Sequence, residues 1–126
     1  MKSVISAVVI FIFIVVTGLV SSIYVDNVTK ELLQNLYKNE IYFSNLKWEE
    51  AEDEILKLEN FWAEKRPVLS VFINHANLTE VEIAVSQLKN ATKIRKIDDI
   101  IYAGDKLALI LSDINEQQKI SIANIF

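Results

Sequence analysis

The chain contains no cysteine, one histidine, one proline and two glycines in 126 residues. Without cysteine there is no disulfide, no thiolate metal site, no thiol nucleophile and no lipid attached through an N-terminal cysteine. A single histidine, His75, rules out a multi-histidine metal site and leaves no plausible serine triad. With glycine only at positions 18 and 104, there is no phosphate-cradling loop and no GxSxG motif. So few turn formers also argue against a β-sandwich, which needs turn signals every 8–12 residues.

Charge is missing as well, in one place. Val4 to Val25 run for 22 positions without a charged side chain, preceded only by Met1, Lys2 and Ser3. At about 1.5 Å per residue, a helix of this length crosses a hydrocarbon core of roughly 30 Å. The run is rich in valine, isoleucine and phenylalanine. In lipid its backbone must pair internally, so helix is the form expected. The rival reading is a cleaved secretory signal, with Lys2 as a minimal positive flank and Ser21 and Ser22 at the cut. The apolar stretch Val4–Val20 is longer than the usual signal core and no helix breaker precedes the cut, which favours a retained anchor. Lys2 before the span and Asp26 after it place the N-terminus in the cytoplasm and residues 26–126 outside, an extracytoplasmic domain on a single-pass cell-membrane anchor formed by residues 1–25.

All 17 acids and 12 of the 13 bases lie beyond residue 25, a net charge of −5. That balance argues against a nucleic-acid or anionic-lipid surface for the domain as a whole. Its apolar pattern is helical throughout. Val25, Val28, Leu32, Leu36 and Tyr37 continue the span outward as one rod to about Phe43, where Ser44 or Asn45 is placed to cap a new helix. Trp48, Ala51, Ile55, Leu58, Trp62, Leu69, Phe72 and Ala76 then keep a seven-residue seam, interrupted only by Lys65. Glu49, Glu50, Glu52, Asp53, Glu54 and Glu59 form the opposite, solvated face. Pro67 falls inside this seam. Because the seam resumes in register beyond it, a kinked helix is favoured over a new start at Pro67. A third helix is expected from about Leu78 to Ile97, opened by the capping pairs Thr79/Glu82 or Asn77/Glu80 and burying Val81, Val85, Leu88 and Ile94. Asp98 and Asp99 suit the start of a fourth, which would bury Ile100, Leu107, Leu111, Ile114 and Ile122, with Gly104 marking a small break. The fold expected is all-α, an N-terminal transmembrane helix continuing into an up-and-down bundle of about four helices.

Residues with chemistry to offer have plainer readings. His75 with Glu80 or Glu82 has no metal-ligand spacing, and a histidine at a helix end commonly bonds a free carbonyl or water. Trp48 and Trp62, two heptads apart, suit a bundle core better than a ligand pocket, each with its indole N–H on a polar partner. The acidic run Glu49–Glu54 lacks the glycine turn of a cation loop. Lys89, Lys93 and Lys96 are placed to meet an acidic neighbouring helix. Gly18 and Ser22 form one small-xxx-small pair in the span, which leaves homo-oligomerisation open. No catalytic, cofactor-binding or metal residue is assigned, and the chain is expected not to be an enzyme.

The short anchor, the Trp-rich second helix, the stretch Trp62…Phe72-Ile73-Asn74-His75 and the terminal Asn124-Ile125-Phe126 together resemble the uncharacterised domain-of-unknown-function family four-three-six-three. Pro67 departs from that family's pattern. The resemblance implies a small single-pass membrane protein of bacteria with no established activity, and supplies no catalytic residue. Three readings follow: an interaction or scaffold partner of another membrane or envelope protein; an extracytoplasmic ligand-sensing bundle; and, if the anchor is removed, a secreted helical protein.

Overall fold

The structure is a computed structural model that describes residues 1–125, the side chains of Ser121 and Ile125 excepted. Four helices and no strands are found among the described residues: α1 Lys2–Ser44, α2 Trp48–Phe72, α3 His75–Lys93 and α4 Ile97–Ile125. Connections of two or three residues force antiparallel neighbours. α1 packs on α2 and α4, and α3 packs on the same two helices, so the order around the bundle follows the chain. This is the up-and-down four-helix bundle that the periodicity predicts.

α1 is one unbroken helix of 43 residues, roughly 65 Å long, and only its second half belongs to the bundle. Burial begins at Ser21 and continues through Val25, Val28, Thr29, Leu32, Asn39 and Phe43. Before that point the apolar side chains stand uncovered; Phe13 is 70% exposed and Val9 60%. This segment is long and apolar enough to cross a membrane. The buried hydroxyls of Ser21 and Thr29 donate back to the carbonyls of Gly18 and Asp26, so neither requires a partner from another helix.

The seam of α2 buries Ala51, Ile55, Leu58, Trp62 and Leu69 as its spacing predicts. Pro67 lies inside the continuous helix on its exposed side, where the lost N–H bond faces solvent, and Ser70 Oγ donates to its carbonyl at 2.6 Å. The seam does not extend to Ala76. Ile73 turns extended and is buried in the connection, and Asn74 caps α3 by accepting from the Ala76 N–H at 2.8 Å. An Asn cap three to five residues upstream therefore takes the role expected of Asn77 or Thr79. Thr79 instead donates to the His75 carbonyl within the helix. In α3 and α4, Val81, Val85, Leu88, Ile100, Leu107, Leu111 and Ile114 are all buried, while Ile122 is half-buried.

Both loops at the end remote from the N-terminus close in the same way. Leu46 and Arg95 adopt left-handed backbone, with φ of 60° and 58°. The Leu46 and Lys47 N–H groups bond the Phe43 and Tyr42 carbonyls, and Arg95 and Lys96 repeat the pattern on Thr92 and Ala91. These are Schellman closures made without glycine. They end α3 at Lys93, earlier than expected, and leave Ile94 in the loop, 68% exposed. Asn45 closes α1, its Nδ2 donating to the Ile41 carbonyl at 2.9 Å; it does not open α2, whose cap Lys47 makes no side-chain bond.

α4 passes through Gly104 without the expected break, and a Cβ built there would meet the Leu36 Cδ1 at an ordinary 3.7 Å. Gly104→Ala should therefore raise the stability of the bundle by about 1 kcal/mol, the helix-propensity difference, read as a higher urea midpoint in detergent micelles.

Candidate functional site

Among the described residues no group of three or more His, Asp or Glu side chains is arranged to hold a metal ion. His75 is exposed on the first turn of α3, Glu80 is exposed, and Glu82 is held by Arg66 across the α2–α3 groove. His75 and these two acids are not brought together as a site. Lys89 does reach an acidic neighbour, Glu59 on α2, at 3.2 Å, while Lys96 pairs locally with Asp99 at 3.3 Å and Lys93 forms no ion pair among the described residues. These pairs are exposed and add little stability, and of them only Lys89–Glu59 joins α2 to α3.

Glu49, Glu50, Glu52 and Asp53 lie on the solvated face, whereas Glu54 is buried, with 4% exposure, and has only the Lys57 amine nearby at 3.9 Å. The helical wheel alone places it outside; the packing of the neighbouring helices covers it. Trp62 is in the core, but its Nε1 finds no partner among the described residues, contrary to expectation. Trp48 is half-buried, with the Arg95 guanidinium 5.6 Å from its ring centre, which ties the two remote loops together. Between the two tryptophans Ala51, Ile55 and Leu58 are at most 1% exposed and belong to the core.

Two small cavities adjoin the core. One of about 160 Å³ lies between α2 and α3, lined by Glu52, Ile55, Leu56, Lys89, Thr92 and Lys93. Another, of about 40 Å³, adjoins Asn39, Phe43, Leu88 and Ile100. Asn39 is 1% exposed and neither its Oδ1 nor its Nδ2 has a partner among the described residues. A drug-sized ligand needs roughly 300 Å³ or more of enclosed space.

The most connected polar group lies at the other end, where the apolar half of α1 meets the bundle. Asp26, the first charge after the run, accepts from Lys30 at 2.8 Å and from Asn115 Nδ2 on α4 at 2.9 Å. The bond from Lys30, then that from Asn115, with Lys119 nearby, holds the Asp26 carboxyl below its usual range against a small opposing effect of burial. Close by, Asn77 Nδ2 donates to Gln117 Oε1 at 3.0 Å, and Gln118 Nε2 donates to the Phe72 carbonyl at 3.1 Å. Together these bonds set α4 in register against all three other helices at the level where the bundle begins. The Asp26/Lys30 half was visible in the sequence as an i, i+4 pair; Asn115, Asn77 and the two glutamines carried no signal without the tertiary fold.

Fold and site thus define a four-helix bundle mounted on a protruding apolar helix, with a register-setting polar layer between the two. The chain belongs to the family described as Domain of unknown function (DUF4363), whose model matches residues 19–125. That is the family its sequence resembles, and the match takes in the whole bundle. The resemblance rested in part on Asn124-Ile125-Phe126, of which Phe126 lies outside the described residues. No curated protein and no solved structure matches the chain.

Two outcomes are expected. Because its folded pKa is lowered, ionised Asp26 contributes stability above its ordinary value of about 3.9, and that contribution is lost as pH falls through the folded pKa. Asp26→Asn should cost up to about 1 kcal/mol at neutral pH, and the difference from wild type should close below about pH 4 in thermal unfolding followed by circular dichroism. Asn39→Leu should raise stability by about 1–3 kcal/mol, since it removes an unpartnered buried amide and leucine's extra volume has a cavity beside it.

Proposed function

We propose that this is a membrane-anchored, non-enzymatic helical module of a bacterial cell envelope that acts by engaging another membrane or envelope protein. The observation that carries the reading is the uncovered apolar half of α1, continuous with the packed bundle. In water, apolar side chains from Val4 to Val20 would be left without cover; in a bilayer they are matched to their solvent. The flanking Lys2 and Asp26 favour a cytoplasmic N-terminus and an extracytoplasmic bundle.

The partner half of the proposal draws on the remote end. Leu46, Ile94, Ile97, Ile101 and Tyr102 are each at least 45% exposed there, beside a shallow groove of about 330 Å³ between α3 and α4. Exposed apolar side chains clustered at one end of an otherwise acidic bundle are the composition of a contact surface. A ligand-sensing role finds less support, since the cavity beside Ile55, between Trp48 and Trp62, holds only about 160 Å³.

Fractionation and crosslinking test the two halves separately. The intact-mass chain should stay in the membrane pellet through an alkaline carbonate wash, and protease added to protoplasts should digest the bundle. Release by the wash, or a mass lacking the first residues, would refute the anchor. A photocrosslinking residue at Tyr102 should capture one reproducible protein in native membranes, whereas one at Glu64 on the exposed face of α2 should not; equal capture at both sites would refute the remote-end contact.

A further inference from the structure

The described residues of α4 run farther towards the N-terminal half of α1 than anything else in the bundle, and we propose that this overhang, from Lys119 to Ile125, is a second membrane contact, seated in the headgroup and upper acyl region of the leaflet from which α1 emerges. The proposal rests on the anchor reading of Val4–Val20 and adds to it a particular depth and a particular segment.

Register carries the argument. Asn77 bonds Gln117 and Gln118 bonds the Phe72 carbonyl, so the α2–α3 connection forms the floor of the bundle level with those two glutamines. Beyond that floor α4 continues for seven residues, about 10 Å, with only α1 alongside. The Asn115–Asp26 bond fixes the antiparallel alignment. Counting equal steps from it in opposite directions places Ile120 beside Ser21 and Ile125 beside Val16, inside the charge-free run.

The cover on α1 agrees. Within the apolar half nearly every residue is exposed, yet Val15, Gly18 and Ser22 are half-buried and Ser21 is buried. Gly18, Ser22 and buried Val25 share one helical face with Val15, and among the described residues the antiparallel count brings α4 to the level of Gly18, Ser22 and Val25. The small Gly18/Ser22 pair, a hint of pairing between copies when seen in sequence alone, thus receives the chain's own fourth helix.

The side of α4 turned away from α1 is suited to lipid. After Lys119 the segment Ile120-Ser-Ile-Ala-Asn-Ile has no charge, and Ile120 is 56% exposed. A bundle held on a span that ends near Ser21 cannot keep this tip out of the interface, because the continuous α1 fixes its height. The depth, a few residues past Ser21, matches the 5–10 Å reached by interfacial helices. Lys119 sits where its long stem can carry the ammonium back to the phosphates.

The natively cysteine-free full chain suits a site-specific test. Single cysteines at Phe13→Cys, Ile120→Cys, Asn124→Cys and Glu64→Cys are labelled with the fluorophore NBD, and each protein is reconstituted into phosphatidylcholine vesicles after its helical circular dichroism is checked. The probe at residue 13 should be blue-shifted and quenched by nitroxide lipids, and that at residue 64 water-like. The probes at 120 and 124 should be blue-shifted and lose most of their intensity to lipids labelled near the headgroup. A water-like signal at both tip positions, or a blue shift that no lipid nitroxide quenches, would overturn the second contact while residue 13 upholds the anchor. A water-like probe at residue 13 would overturn the anchor reading itself.

Discussion

Everything in this molecule is hung on one helix that does not break. α1 runs from Lys2 to Ser44, its first half clothed in mostly exposed apolar side chains and its second half buried into a bundle. A helix satisfies its backbone internally whatever surrounds it, so the same rod can pass from lipid to water without rearrangement. A flexible linker would let the bundle tumble above its tether; a continuous helix fixes both its height and its tilt. The register layer of Asp26, Asn115, Asn77, Gln117 and Gln118 then passes that constraint to the other three helices.

Within the bundle, shape is well specified and chemistry is sparse. The core is mostly aliphatic, with Phe43 and Trp62 among it, and its buried polar groups are few among the described residues: hydroxyls that bond their own helix, the unpartnered Asn39 and Trp62 Nε1, and the weakly paired Glu54. Buried polar groups of this kind lower stability, and in helical assemblies they select one arrangement over near-equivalent ones. α2 and α3 are held together on the outside by Arg66–Glu82 and Lys89–Glu59, and the remote loops by Arg95 on Trp48. Such a body holds its surfaces at a set distance from the apolar half of α1. Membership of the DUF4363 family agrees with the architecture and assigns no role beyond it.

Much of this was legible in the residues. Length and the absence of charge marked the apolar half of α1, and seven-residue spacing picked out Ala51, Ile55, Leu58, Trp62 and Leu69 as core. What failed were the ends of elements and the identity of caps. Asn74, Asn77, Thr79, Ser44 and Asn45 all have the chemistry to cap, and which of them does so depends on where neighbouring helices force the chain to turn. Left-handed closures at Leu46 and Arg95 were invisible, because neither is a glycine and the strain they carry is offset only by packing on either side. Burial of Glu54 likewise depends on a helix that approaches from elsewhere in the chain.

By itself, then, the sequence determined the class of fold, the apolar half of α1, most of the core and the absence of a thiol or multi-histidine chemistry, since each follows from composition or from a period along one helix. Only the tertiary structure decided the register of α4, the covered face at Gly18 and Ser22, the unpartnered Asn39 and the overhang beyond the bundle floor. These depend on how far one helix slides against another, and that is set by contacts between residues as distant in the chain as Asp26 and Asn115. No local pattern records such a distance; it exists once the helices are packed.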